Sequence, residues 1–271
     1  MKPEDYLAFR TSYDGSDYQG SQSQRHGRTV QDQFEKAIFV LFKLRARLSS
    51  TSRTDSGVHA YDQIFYLKGG GRLWLDSSET ARRTMRLSLN ALLGPKIRVW
   101  EIGSLRSGFN PKANVLSKEY RYQIFQSPLE DPLANSRIWW VRQPLDESKL
   151  RSALRACEGL HDFGGFSKAR SVKKLDKINT QKRVLQIDLR KTKHPVFSEA
   201  ISYQIRVRGE GFMHQMVRGI VGTCVEIASG KNFSISEMLR GGAEAASGAF
   251  APANGLKLHK TRVESGWYRK L

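Results

Sequence analysis

The segment Thr51-Ser52-Arg53-Thr54-Asp55-Ser56-Gly57-Val58-His59-Ala60 holds a single carboxylate, Asp55, among small residues, with Arg53 two positions before it. A guanidinium near a carboxyl group keeps it ionised at neutral pH. An ionised carboxylate can act as a nucleophile or a base, and the small neighbours leave room for a planar ligand. The same run also fits an ordinary Asx turn, in which the aspartate only organises its own loop. A second segment, Lys118-Glu119-Tyr120-Arg121-Tyr122, alternates in character. On a strand, Tyr120 and Tyr122 share one face and Arg121 takes the other. Aromatic side chains so placed either pack in a core or stack on a nucleobase.

The third segment runs from Gly211 to Gly222. His214, Arg218 and Gly222 are spaced four apart and fall on one face of an expected helix, with the glycine leaving space above the backbone. An arginine in so apolar a helix is costly if buried alone. Arg218 therefore needs an anion, either a carboxylate or a phosphate, unless it snorkels to water. His214 reads as a packed or capping histidine rather than a catalyst.

Other chemistries find no support. The six histidines (26, 59, 161, 194, 214 and 259) are scattered, and neither a His-Glu-x-x-His run nor paired cysteine spacing is present, so no metal site is expected. Neither glycine-rich phosphate-loop pattern occurs; Lys68 to Gly71 is too short for one and reads as a hairpin or linker. Two cysteines, Cys157 and Cys224, cannot build a disulfide framework.

The elements that must position these residues can be read from periodicity. Tyr6 to Tyr13 alternates as a strand. Thr29 is an expected N-cap, with Asp32 as the capping-box acid, and Phe34, Ala37, Ile38, Leu41 and Phe42 follow at helical spacing. Further strands are expected at 64–67, 97–102, 117–125, 183–189, 200–207 and 256–263. Further helices are expected at 79–92, 145–160, 212–228 and 235–246. The fold expected is a mixed α/β body of two similar halves, with the division at residues 103–110. Its N-terminal part (1–105) carries the Asp55 loop, and its C-terminal part (106–271) carries the Tyr120 strand and the Arg218 helix.

The chain carries 45 Lys and Arg against 26 Asp and Glu, a formal charge of +19 over 271 residues. Such an excess attracts polyanions. The basic residues are uneven: ten Lys and Arg stand against three Asp in 161–194. Residues 168–177 read as an exposed cationic loop suited to phosphate backbones, or as a solvated surface. No stretch approaches the ~20 apolar residues of a membrane span, and residues 1–12 lack an apolar leader. A cytoplasmic protein without membrane association is expected.

At these residues the chain resembles the TruA-type tRNA pseudouridine synthases. Tyr13-Asp14-Gly15-Ser16-Asp17-Tyr18-Gln19-Gly20 resembles the family's opening motif, and Thr29-Val30-Gln31 its next segment. Arg53 to Ala60 resembles the catalytic loop, Phe109 to Tyr122 the central strand, and His161-Asp162-Phe163 a second-half motif. Phe212 to Gly222 resembles the signature helix, and Ala253-Asn254-Gly255-Leu256 the closing motif. All appear in family order. The resemblance implies a pseudouridine synthase fold, with antiparallel and mixed sheets flanked by helices around a central cleft. It implies isomerisation of uridine to pseudouridine in the anticodon arm of tRNA, typically at positions 38, 39 and 40. Asp55 would be the catalytic carboxylate, Tyr120 the active-site tyrosine and Arg218 the basic partner of Asp55. Arg53 would bind phosphate near the target nucleotide or brace its own loop. No metal or organic cofactor is implied, and the partners are tRNA and a second copy of the chain. Trp139 and Trp140 read either as exposed aromatics that would fit such a homodimer or as core residues.

The sequence departs from the family pattern at Ser21, where a Trp is usual, at Thr51-Ser52, where Ala-Gly is usual, and at Asn110-Pro111-Lys112, where His-Ala-Arg is usual. Readings from other classes are a non-catalytic RNA-binding protein, a synthase acting on a different RNA, and a basic structural component of a ribonucleoprotein.

Overall fold

The structure, a computed structural model, describes residues 5–25, 27–68, 78–132, 135–168, 179–241 and 248–271. The expected linker at Lys68–Gly71 lies outside these beyond Lys68. So do the expected basic loop beyond Lys168 and the far end of the helix expected at 235–246. The chain folds into two compact units: Met1–Leu116 with Leu258–Leu271, and Ser117–Lys257.

In chain order the elements are β1 (Tyr6–Tyr13), α1 (Val30–Phe42), β2 (Ser49–Ser50), β3 (His59–Leu67), α2 (Glu79–Leu93), β4 (Ile97–Leu105) and α3 (Pro111–Asn114). There follow β5 (Val115–Gln126), β6 (Trp139–Val141), α4 (Glu147–Ala156), β7 (Gly159–Asp162), β8 (Gln181–Lys193), β9 (Ile201–Gly209), α5 (Met216–Ala228) and α6 (Ile235–Gly241). The chain ends with β10 (Leu256–Val263) and β11 (Tyr268–Lys270).

The first unit is built on strands in the order β11-β4-β1-β3-β10, with β2 on β3. Alternation in β1 sends Leu7, Phe9, Thr11 and Tyr13 to a buried face. There Phe9 meets Phe34 of α1, and Phe34 meets Phe65 of β3. The helix starts where the sequence indicates: Thr29 accepts from the Asp32 N–H and Asp32 bonds back to Thr29, a complete capping box. The opposite side of the sheet holds a second cluster of Ala8, Ile64, Tyr66, Leu105, Phe109 and Val115, packed against Trp267 and Tyr268. Arg10 donates to Asp62 of β3 at 2.7 Å, and Asp62 accepts from the Thr261 N–H of β10 at 3.0 Å. These bonds fix register among three strands.

The second unit has strands in the order β5-β9-β8-β7, antiparallel throughout, with β6 parallel to β5. Tyr120, Tyr122 and Ile124 lie opposite Val207, Ile205 and Tyr203. Directly opposed residues share a face, and this one is buried. Gln204, Arg206 and Arg208 alternate onto the half-exposed face of β9. Helix α5 buries Met216, Val217, Ile220, Val221, Cys224 and Val225, and α4 buries Leu150, Ala153 and Leu154.

Two helices are shorter than their periodicity indicates. The helix expected at 145–160 spans Glu147–Ala156, because Gly159 adopts φ +107° and opens the four-residue strand β7. The helix expected at 212–228 begins only at Met216, because Gln215 takes the left-handed conformation at φ 60°. His214 therefore precedes the helix and does not share a helical face with Arg218. Gly222 does not leave open space either: a Cβ there would collide with the backbone at Ala249 and Ala251. Trp139 and Trp140 are half-buried rather than exposed. Trp139 meets Tyr122 edge-on, and Trp140 donates to the Ser127 carbonyl at 2.9 Å. Among the described residues, no helix is long and apolar enough to cross a membrane.

Candidate active site

In the first unit, the loop around Asp55 is held from outside itself. The Tyr13 hydroxyl and Thr54 Oγ1 are 2.8 Å apart. Thr54 N–H donates to Ser21 Oγ at 2.8 Å, and Ser21 N–H donates to the Thr54 carbonyl at 3.1 Å. Gly57 N–H and Ser56 Oγ both donate to the Tyr18 carbonyl. On the strand side, Gln63 Nε2 donates to the Ser52 carbonyl at 2.7 Å, and Thr51 Oγ1 donates to Gln63 Oε1. Asp55 itself is half-buried, with its carbonyl accepting from Val58 N–H at 3.1 Å.

The opening motif and this loop are thus one structure. Gly15 sits so close to the Val58 carbonyl that any side chain would collide with it, and its N–H donates to His59 Nδ1 at 3.1 Å. Gly20, at φ +98°, faces the Thr54 carbonyl, and Gly57 adopts φ +78°. Both conformations are open to glycine at little cost. Ser21 and Thr51, two points at which the sequence departs from the family pattern, are buried and supply bonds that brace the loop. Burial also pushes the Tyr13 phenol up to about 12, so it remains a neutral hydroxyl beside Thr54. Arg53 is exposed at the edge of the loop.

In the second unit, Tyr120 is 7% exposed and meets the ring of Phe212 edge-on at 5.1 Å. Arg218, half-buried near the start of α5, donates from Nε to the Ala251 carbonyl at 2.7 Å, while its own carbonyl accepts from Ala251 N–H. Its charge acts on Tyr122. Burial raises that phenol well above the usual range and the Arg218 charge partly opposes the shift. The Tyr122 hydroxyl donates to the Pro252 carbonyl at 2.7 Å, with Gly255 packed beneath the ring. The two residues just before the closing motif, with Gly255 inside it, therefore seat Arg218 and Tyr122.

One residue with an unusual environment was absent from the sequence expectations. Lys118 is half-buried, and burial pulls its ammonium down to about 8. The signal was available: it begins the apolar side of an alternating strand, where a lysine is out of place. Among the described residues, no group of three or more His, Cys, Asp and Glu could hold a metal ion.

Residues 153–262 match the family described as "tRNA pseudouridine synthase". Named relatives narrow this. The chain is 34% identical over 248 residues to "tRNA pseudouridine synthase A" of Geotalea uraniireducens, covering 91% of this chain and 94% of that one. It is 30% identical over 263 residues to the protein of the same name from Halalkalibacterium halodurans, covering 96% and 93%. The chain belongs to the tRNA pseudouridine synthase A family. In solved structures it is similar to a chain of a Cbf5-Nop10-Gar1 complex at TM-score 0.39 and 10% identity, covering 94% of this chain and 48% of that one. That likeness is too distant to add to the assignment.

Proposed function

We propose that this protein isomerises uridine to pseudouridine in the anticodon arm of tRNA, at positions 38, 39 and 40. Family membership over more than nine-tenths of the chain carries the reading, supported by the carboxylate loop braced from Tyr13, Tyr18 and Ser21. The reaction exchanges one bond for another within one nucleotide. The N1–C1′ glycosidic bond breaks, the detached uracil turns while held, C5 bonds to C1′, and the proton leaves C5 while N1 gains one. Atoms and electrons balance without a redox partner.

The target uridine must first leave its stack, at a cost of a few kcal/mol. Tyr120 gives the base a flat apolar surface. Asp55 acts as a carboxylate by one of three routes: it bonds C1′ as N1 leaves and is displaced when C5 bonds C1′, it adds at C6 and is expelled once the C5–C1′ bond has formed, or it drives glycal formation with no bond to the enzyme. Arg218 is the basic partner of that carboxylate, and exposed Arg53 takes a phosphate near the target. The protein acts as a homodimer in the cytoplasm, where its net charge of +19 draws tRNA to its surface.

The test is tritium release from C5-labelled uridine in an unmodified tRNA transcript. Asp55→Asn keeps the size of the side chain and removes its charge. Turnover should fall more than about 1000-fold, equivalent to about 4 kcal/mol of transition-state stabilisation, with tRNA affinity retained. Wild-type turnover in that variant refutes the assignment.

A further inference from the structure

Lys118 stands on β5 directly opposite Gly209 of β9. Tyr120, Tyr122 and Ile124 follow on the same face of the strand, and they are 7%, 0% and 0% exposed. Gly209 contributes no side chain, and the ring of Phe212 lies over it: a Cβ there would stand 2.8 Å from Phe212 Cζ. That ring is the one that meets Tyr120 edge-on. Lys118, Tyr120 and Phe212 therefore converge at one end of the β5–β9 pair.

The ammonium has no counter-ion among the described residues. The adjacent carboxylates are engaged elsewhere, Glu119 with Arg121 at 3.0 Å and Glu210 with Arg183 at 3.6 Å. Only burial acts on the charge, and burial disfavours it. A half-buried cation without a partner is costly in the free protein, which is understandable if the substrate supplies the anion.

We propose that Lys118 is a phosphate-binding residue of the RNA site, its ammonium taking a phosphodiester oxygen beside the nucleotide whose base packs on Tyr120. The inference rests on the proposed role of Tyr120. Uracil is neutral, so the anion a bound nucleotide brings is its phosphate. Residues two apart on a strand are separated by about 7 Å, a span that one nucleotide bridges between base and phosphate. A lysine offers a single point charge for such a contact, without the planar fork of an arginine.

The experiment measures binding of an unmodified tRNA transcript between 50 and 200 mM salt, for wild type, Lys118→Met and Lys118→Arg. Losing one phosphate contact should weaken binding about tenfold and flatten the slope of log affinity against log salt by about 0.7–0.9. Lys118→Arg should restore the slope. An unchanged slope in Lys118→Met overturns the inference, even if turnover falls. If the Met variant does not fold, Lys118→Gln is read by the same criterion. Pseudouridine formation by the wild type is assayed on the same tRNA. Its absence would refute the proposed function, whereas product formation with an unchanged slope would refute the Lys118 contact alone.

Discussion

Replacing Lys118 with Met should make the free protein more stable. The ammonium titrates near 8 rather than at the ordinary lysine value of 10.5. At about 1.36 kcal/mol per pKa unit, holding this charge in the folded state costs roughly 3 kcal/mol. Residual exposure reduces that figure, so a gain of about 1–3 kcal/mol at pH 7 is expected from a methionine of similar length. The pH dependence gives the sharper criterion. Between pH 8 and 10.5 the unfolded chain binds more protons at this site than the folded one, so wild-type stability rises with pH across that window. The variant has no such group, and its advantage should be full at pH 7 and shrink towards zero above pH 10.5. Urea denaturation of both proteins at pH 7, 8, 9 and 10 measures the gap, and other titrating groups cancel in the difference. A variant less stable than wild type at pH 7, or a gap independent of pH, would refute the reasoning.

Two further substitutions probe the scaffold. Tyr13→Phe removes the hydroxyl that meets Thr54 at 2.8 Å. It should cost about 1 kcal/mol in urea denaturation and speed hydrogen exchange across residues 51–59, with turnover falling more than tRNA affinity; unchanged exchange there would detach Tyr13 from the loop. Gly222→Ala drives a methyl group into the backbone at Ala249 and Ala251. It should destabilise the second unit by about 1–3 kcal/mol or more, read as a lowered urea midpoint, whereas Val221→Ala on the same helix should show only the graded loss of a cavity.

Much of the fold could be read in advance where local rules agree with tertiary packing. The Tyr6–Tyr13 strand and the Thr29 capping box have the expected bounds because alternation and capping are decided within a few residues. Expectations failed where backbone conformation at one residue decides the outcome. Gln215 in the left-handed region stops the apolar period from extending back through His214, and Gly159 ends the α4 segment in favour of a strand of only four residues. The space above Gly222 is filled by a segment almost thirty residues away in sequence, which no periodicity reveals. For the site, the suspicion that fell on the Asp55 loop came from residue types. Its bracing did not, since Tyr13 and Thr54 are separated by 41 positions. Lys118 is legible as a misplaced charge on the apolar face that Tyr120 and Tyr122 share, but its burial depends on β9 and Phe212, which lie about 90 positions along the chain.

The first unit draws on two stretches far apart in the chain, residues 1–116 and 258–271. Asp62 reaches Thr261 across 199 positions, and the cluster beneath β1 takes in Trp267 and Tyr268. During synthesis the stretch 117–257 is available to organise as a continuous block. The unit bearing Asp55 waits for β10 and β11 to emerge, since contacts so distant along the chain close late. A nascent or prematurely terminated polypeptide would thus carry every residue of the carboxylate loop while lacking two strands of the sheet on which that loop is mounted.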